Sequence, residues 1–211
     1  MSWPWFYYIC RALAGALFRL TRCKVEGIEN IPPHGPVLVV SNHLSLADPP
    51  LLGVKLGRKA RFMAKRELFC LKPVGYFING LGAFPVHRGR LDRQALRQSL
   101  EVINGGEMLV IFPEGMRSRN NELRRAFPGV TLVALRSGAP VVPVGIIGTE
   151  NIRKFWRMER PQITVTIGSP FTLPSVDGKL TKEELAGLTD SIMRCVAELL
   201  PVEYQGYYRN R

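Results

Sequence analysis

Histidine is scarce in this chain. His34, His43 and His87 are the only three, and they share no spacing that a metal site uses. The four cysteines, Cys10, Cys23, Cys70 and Cys195, form no C-x-x-C pair. That pattern argues against a zinc site or a disulfide framework and suits a reducing compartment. The N-terminal uncharged run is broken by Arg11, far short of the ~20 residues a membrane span needs. No basic region precedes it, which argues against a signal peptide. No repeat or low-complexity tract is present, and the glycines and prolines are spread along the chain.

Acidic residues are also few, 17 against 29 Lys and Arg, which leaves a net charge of +12. Such a field attracts polyanions: nucleic acid, anionic headgroups or phosphorylated small molecules. Aromatics are not interleaved with the basic residues around Arg88 or Arg117, so no stacking platform for nucleic acid is present. What remains is 211 residues, 46% apolar, enough for one core.

Residues 1–22 read as an N-terminal membrane-interface helix, and 23–211 as one domain. Ser2 is a candidate N-cap, with Pro4 in the first turn. Arg11, Gly15, Arg19 and Arg22 fall on one helical face. Trp3, Trp5, Phe6, Leu13, Leu17 and Phe18 are the residues expected to enter the acyl boundary. The alternative is an ordinary helix packed on the domain.

Strands are expected at 23–27, 37–41, 60–64, 108–112, 141–147 and 162–168, several as continuous Val/Ile-rich runs typical of strands covered on both faces. Asp92 caps a helix that Gly105 ends, 130–137 forms another, and Thr181 to Glu184 is a capping box. Strands alternating with helices make an α/β protein: a mixed central sheet flanked by helices. Three polar clusters, 41–48, 84–90 and 112–119, each follow a strand. In such folds ligands gather at the strands' carboxyl ends, so the three can share one site.

In the first cluster, "SNHLSLADPP", His43 precedes Asp48 by five residues. On a continuous helix the two would diverge by about 140°, so they meet only if the chain turns between them. Asp48-Pro49-Pro50 supplies such a turn, with Asp48 as a helix N-cap and proline at the first helical position. Asp48 is then either a cap alone or also the partner of His43 Nδ1, which would leave Nε2 as a general base. Ser45 has no G-x-S-x-G context, so a serine nucleophile has little support. The second cluster carries Arg88-Gly89-Arg90: a solvated turn, or a phosphate grip. In the third, Pro113, Glu114 and Gly115 precede Arg117 and Arg119: a structural Glu at a strand end, or an arrangement suited to holding a hydroxyl and a phosphate together.

Four blocks, "NHLSLAD", "GAFPVHRG", "FPEGMRSR" and "VVPVGI", stand in this order between residues 42 and 146. Together they resemble the glycerolipid acyltransferase family, the 1-acylglycerol-3-phosphate acyltransferases. The resemblance implies an acyl thioester donor, acyl-CoA or acyl carrier protein, and lysophosphatidic acid as acceptor. It implies His43 as catalytic base and Asp48 as its orienting partner. It assigns Arg88, Glu114 and Gly115 to acceptor binding, and Lys65 and Arg117 to the acceptor's phosphate. No cofactor or metal is implied, and the setting is the cytoplasmic face of a membrane with an anionic surface, such as the bacterial inner membrane. Amides at the Asp48-Pro49 helix start are the expected oxyanion donors. Met116 stands where the family usually has threonine, and Pro128 where a lysine is common. Both bear on acceptor choice, so another acceptor (glycerol 3-phosphate, a lyso-amino-acid lipid, another lysophospholipid) is the alternative within the family. A non-enzymatic basic membrane-binding module is the alternative outside it.

Overall fold

The structure is a computed structural model that describes residues 4–86, 92–157, 159–174, 178 and 180–209. Its centre is a seven-stranded sheet in the order β1-β7-β6-β2-β5-β3-β4. The strands are β1 (Arg22–Glu26), β2 (Val37–Ser41), β3 (Ala60–Lys65), β4 (Ala83–Val86), β5 (Met108–Ile111), β6 (Val141–Ile147) and β7 (Gln162–Ile167). All neighbours pair in parallel except β6 with β7, so the sheet is mixed, as expected. The apolar runs of β2, β5 and β6 are buried on both faces, which is why no alternation marks them.

The helices are α1 (Pro4–Arg19), α2 (Asp48–Lys55), α3 (Arg66–Cys70), α4 (Lys72–Gly80), α5 (Arg93–Asn104), α6 (Gly129–Ser137) and α7 (Lys182–Ala197). Asp92 accepts from the amides of Gln94 and Ala95 at the start of α5, and Thr181 with Glu184 closes the capping box of α7. One core joins α1 and α2 to Val37, Val39, Met108 and Val110; the other joins α5, α6 and α7 to Leu38, Val40, Leu109 and Ile111. The adjacent strands β2 and β5 therefore send their chains to opposite faces: β2 into α2, β5 towards α6. The diverging loops leave a crevice at the carboxyl ends of these two strands, where such folds place their chemistry.

α1 has two apolar faces rather than one. Tyr7, Cys10, Ala14 and Phe18 are buried in the protein, and Gly80 of α4 meets Cys10 and Phe6. Phe18 is therefore a core residue and not a membrane contact. Trp5, Tyr8, Ile9, Leu13, Leu17 and Leu20 remain exposed on the opposite side. Gly15 faces Val54 of α2, so the stripe of Arg11, Gly15 and Arg19 borders the contact with the domain. Among the described residues no helix is long and apolar enough to cross a membrane. Trp3 and Ser2 lie outside the described residues.

Candidate active site

β2 ends at Ser41, and the next side chain carries the ladder one step further. Asn42 Nδ2 donates to Ile146 O at 2.8 Å while its Oδ1 accepts from Ile146 N at 2.7 Å. The side-chain amide imitates a peptide group and holds the strand edge closed, so the backbone at 43 is free to turn away. His43 enters that turn gripped on both sides. Its N–H donates to Glu114 Oε1 at 3.0 Å, and its carbonyl accepts from Ser118 N at 2.8 Å. Its ring stacks on Phe112, with centroids 4.4 Å apart.

Asp48 does face His43. Its Oδ2 accepts from His43 Nδ1 at 2.8 Å, Leu44 N at 2.7 Å and Ser45 N at 2.8 Å. The N-cap of α2 is Ala47, which offers no side-chain bond, and Asp48 is the first helical residue, its side chain closing the 43–48 turn behind it. The helix cap expected of Asp48 is corrected: the same carboxylate is used backwards. Both residues are buried, and Nδ1 is fixed as the donor, which leaves Nε2 as the basic nitrogen. Among the described residues nothing in the protein bonds to Nε2. An imidazole held this way can take a proton from a hydroxyl. Ser45 accepts from Ala47 N in a local turn, the geometry of a loop residue and not of a nucleophile.

The expected oxyanion donors at the start of α2 are not available. Asp48 N donates to Ser45 O, Leu51 N to Ala47 O, and Pro49 and Pro50 have no N–H at all.

Glu114, expected among the acceptor ligands, is 2% exposed and commits both oxygens to backbone: Oε1 to His43 N and Oε2 to Arg124 N at 2.9 Å. Burial pushes its carboxyl up to about 7 against the pull of those two amides. It ties two loops together beneath the site. Gly115 turns at φ +69°, and a Cβ there would sit 2.9 Å from the Phe127 ring, so only glycine fits. Lys65 at the carboxyl end of β3 and Arg117 in the loop after the parallel neighbour β5 are both exposed, Lys65 paired with Glu67 at 3.2 Å. Lys65 is in register with Val86, two residues before Arg88. Arg88 itself lies outside the described residues, as do His87 and Arg90.

Beside His43 opens a cavity of about 330 Å³ walled by α2, β3, α4 and β4, with Pro49, Phe62, Phe77 and Leu81 among its lining. Among the described residues that line it, His43 is the sole titratable one. Such a space takes a hydrocarbon chain and brings its head to the imidazole. Sequence reasoning missed Asn42, whose place at the end of a buried strand was the available signal, and missed α3 and α4 altogether.

Fold and site together define an α/β protein in which a buried His–Asp pair meets an apolar, chain-sized cavity. Comparison with known proteins narrows this. The Acyltransferase family matches residues 22–147. A 1-acyl-sn-glycerol-3-phosphate acyltransferase of Bacillus subtilis is 29% identical over 178 residues, 83% of this chain and 87% of that one. A chloroplastic enzyme of the same name from Arabidopsis thaliana is 31% identical over 140 residues, 65% of this chain but 39% of that one. The chain thus spans about 40% of the length of the plant relatives it matches. A lyso-ornithine lipid O-acyltransferase of Pseudomonas aeruginosa is 34% identical over 115 residues, 54% of this chain and 44% of that one. The crystal structure of the 1-acyl-sn-glycerophosphate acyltransferase of Thermotoga maritima superposes with a TM-score of 0.67 at 27% identity, covering 92% of this chain and 79% of that one. The chain belongs to the acyltransferase family.

Proposed function

We propose that the protein moves a fatty acyl group from a thioester, acyl-CoA or acyl carrier protein, to the free hydroxyl of 1-acylglycerol 3-phosphate, making phosphatidic acid. The observation that carries this reading is the 2.8 Å contact of His43 Nδ1 with Asp48, in a ring that also borders the apolar cavity. The acyl chain lies in the cavity with its thioester carbonyl near His43. The acceptor hydroxyl attacks that carbonyl as Nε2 takes its proton. The tetrahedral intermediate collapses, the C–S bond breaks, and the departing thiolate takes the proton back from the imidazolium. A thiolate leaves readily, so no acyl-enzyme is needed. Lys65 and Arg117, together with Arg88, hold the acceptor phosphate and so position the hydroxyl.

The acceptor sits in a bilayer, and the exposed face of α1 is the surface that meets it. Trp5, Leu13 and Leu17 supply an apolar contact, while the net charge of +12 adds attraction to anionic lipid. A second acceptor, such as a lyso-ornithine lipid, is supported by the 34% identity to the lyso-ornithine lipid O-acyltransferase and by Met116 standing where threonine is usual.

The test is thiol release from acyl-CoA and from acyl carrier protein, with lysophosphatidic acid, glycerol 3-phosphate or a lyso-ornithine lipid as acceptor. Lysophosphatidic acid should give the highest kcat/KM; a clear preference for another acceptor transfers the assignment to it, and no acceptor-dependent release contradicts it. In the same assay Leu13→Glu with Leu17→Glu should lower turnover on vesicle-embedded acceptor and spare a short-chain soluble one. Equal activity on both would remove α1 as the docking face.

A further inference from the structure

We propose that the C-terminal segment 201–208, through Tyr208, positions the loop that receives the acyl acceptor; this rests on the acceptor reading given above. Between β5 and α6 the chain runs through residues 112–128 with no helix or strand of its own. A connection this long inside a compact domain needs outside partners to hold one shape. The C-terminal segment supplies them.

After α7 the chain returns in two short 3-10 turns, Val202–Tyr204 and Gly206–Tyr208, beside that loop. Leu123 N donates to Tyr204 O at 2.8 Å, and Tyr207 N donates to Leu123 O at 3.0 Å. Ala126 N donates to the Tyr208 hydroxyl at 3.0 Å. Gly206 sits at φ +44°, where a Cβ would stand 2.5 Å from Leu123 O, so the two backbones approach this closely only at glycine. Tyr204 anchors the segment in turn by donating to Glu150 Oε1 at 2.9 Å.

The loop passes this order inward. Arg124, between Leu123 and Ala126, donates its amide to Glu114, which accepts from His43 N. Phe127 N donates to Pro113 O at 2.8 Å, and the Phe127 ring rests on Gly115. The segment is thus three hydrogen bonds from the backbone of His43. Phe112 and Gly115, at the start of the loop, line the apolar cavity, but no residue of 118–127 or 201–208 does. Disturbing the segment should therefore harm acceptor use and spare donor use, a split that general loss of stability would not produce.

Two variants test this. Tyr208→Phe removes only the hydroxyl, and Gly206→Ala pushes the segment off Leu123; should the second fail to fold, the first still decides. In each, KM is measured for lysophosphatidic acid and for the acyl thioester, with hydrogen–deuterium exchange of residues 118–127. The acceptor KM should rise about fivefold, the scale of one lost hydrogen bond, with the donor KM within about twofold. Exchange should speed up in 118–127 and stay unchanged in β5. Equal changes in both KM values, or none with loop protection intact, overturns the proposal. If the unsubstituted protein does not use lysophosphatidic acid, the acceptor reading fails separately, and the exchange measurement alone judges the segment: unaltered protection in Tyr208→Phe refutes it.

Discussion

Around His43 the polar groups are buried and, apart from Asp48 Oδ1, held by one another. Its amide, carbonyl and Nδ1 each have a partner within 3.0 Å, and Asp48 Oδ2 takes three donors at once. Around Lys65 and Arg117 the arrangement is the reverse: both side chains stand in solvent, and Lys65 has a carboxylate neighbour in Glu67. The first region is stiff because each group lost would orphan another in a dry place. In the second, charges act through water, where single contacts are weak and salt competes. Orientation of the imidazole is therefore settled by the protein itself, whereas under the proposed function grip on a phosphate would be shared among several cations.

The comparison is broken most sharply at Asp48. Asp48→Ala orphans three donors, each worth about 1–3 kcal/mol when buried without a partner, and so lowers the melting temperature as well as turnover. Turnover should fall at least ~100-fold. Asp48→Asn can keep one oxygen towards all three donors. Its NH₂ then replaces the buried, unpartnered Oδ1, so it should lose some melting temperature and some activity, but less of each than Asp48→Ala. A folded Asp48→Ala protein with ordinary turnover would show that the pair is ornamental.

Glu114→Gln comes next. Both its oxygens accept from amides, so the variant's NH₂ must face a donor at His43 N or Arg124 N, and turnover should drop about tenfold. The same residue sets a pH dependence. Its folded value of about 7 lies above the ordinary 4.5, so the stability that proton binding contributes is full below pH 4.5 and lost as pH rises through 7. Relative to Glu114→Gln, which cannot titrate, the native protein should lose on the order of 3 kcal/mol across that window. Parallel stability curves for the two would contradict the buried, proton-binding Glu114.

The smallest effects belong to the rim. Arg117→Ala should raise the KM for lysophosphatidic acid about fivefold with the donor KM unchanged, and Lys65→Ala less, because Glu67 already competes for it. Both effects should shrink in high salt. A rise that salt does not touch would mean that the rim is structural.

Much of this contrast is legible in the sequence, and what is not has a physical reason. Val/Ile-rich strands, the Asp92 cap and the Thr181 capping box are local features, and all are present. The His43–Asp48 pair could be anticipated because the turn between them is short-range. Which way Asp48 points could not be, since a cap and a backward closure need the same residue before the same prolines. Glu114 reads either as a structural residue or as a ligand until Arg124 N is seen beside it, ten residues on and across a loop without secondary structure. Phe18 and Leu17 are neighbours of like hydrophobicity, yet one is core and the other exposed, because only tertiary packing chooses which face α1 buries. The C-terminal segment carries no motif; its role comes from where α7 delivers it.

The central claim is that His43, fixed by Asp48, is the base for transfer to a hydroxyl. It is tested most directly by single-turnover acyl transfer to lysophosphatidic acid in purified His43→Ala protein, with circular dichroism and melting temperature measured on the same sample. The account predicts transfer at least ~100-fold slower, an unchanged spectrum and retained donor binding. Transfer at the native rate by a folded His43→Ala protein would contradict it.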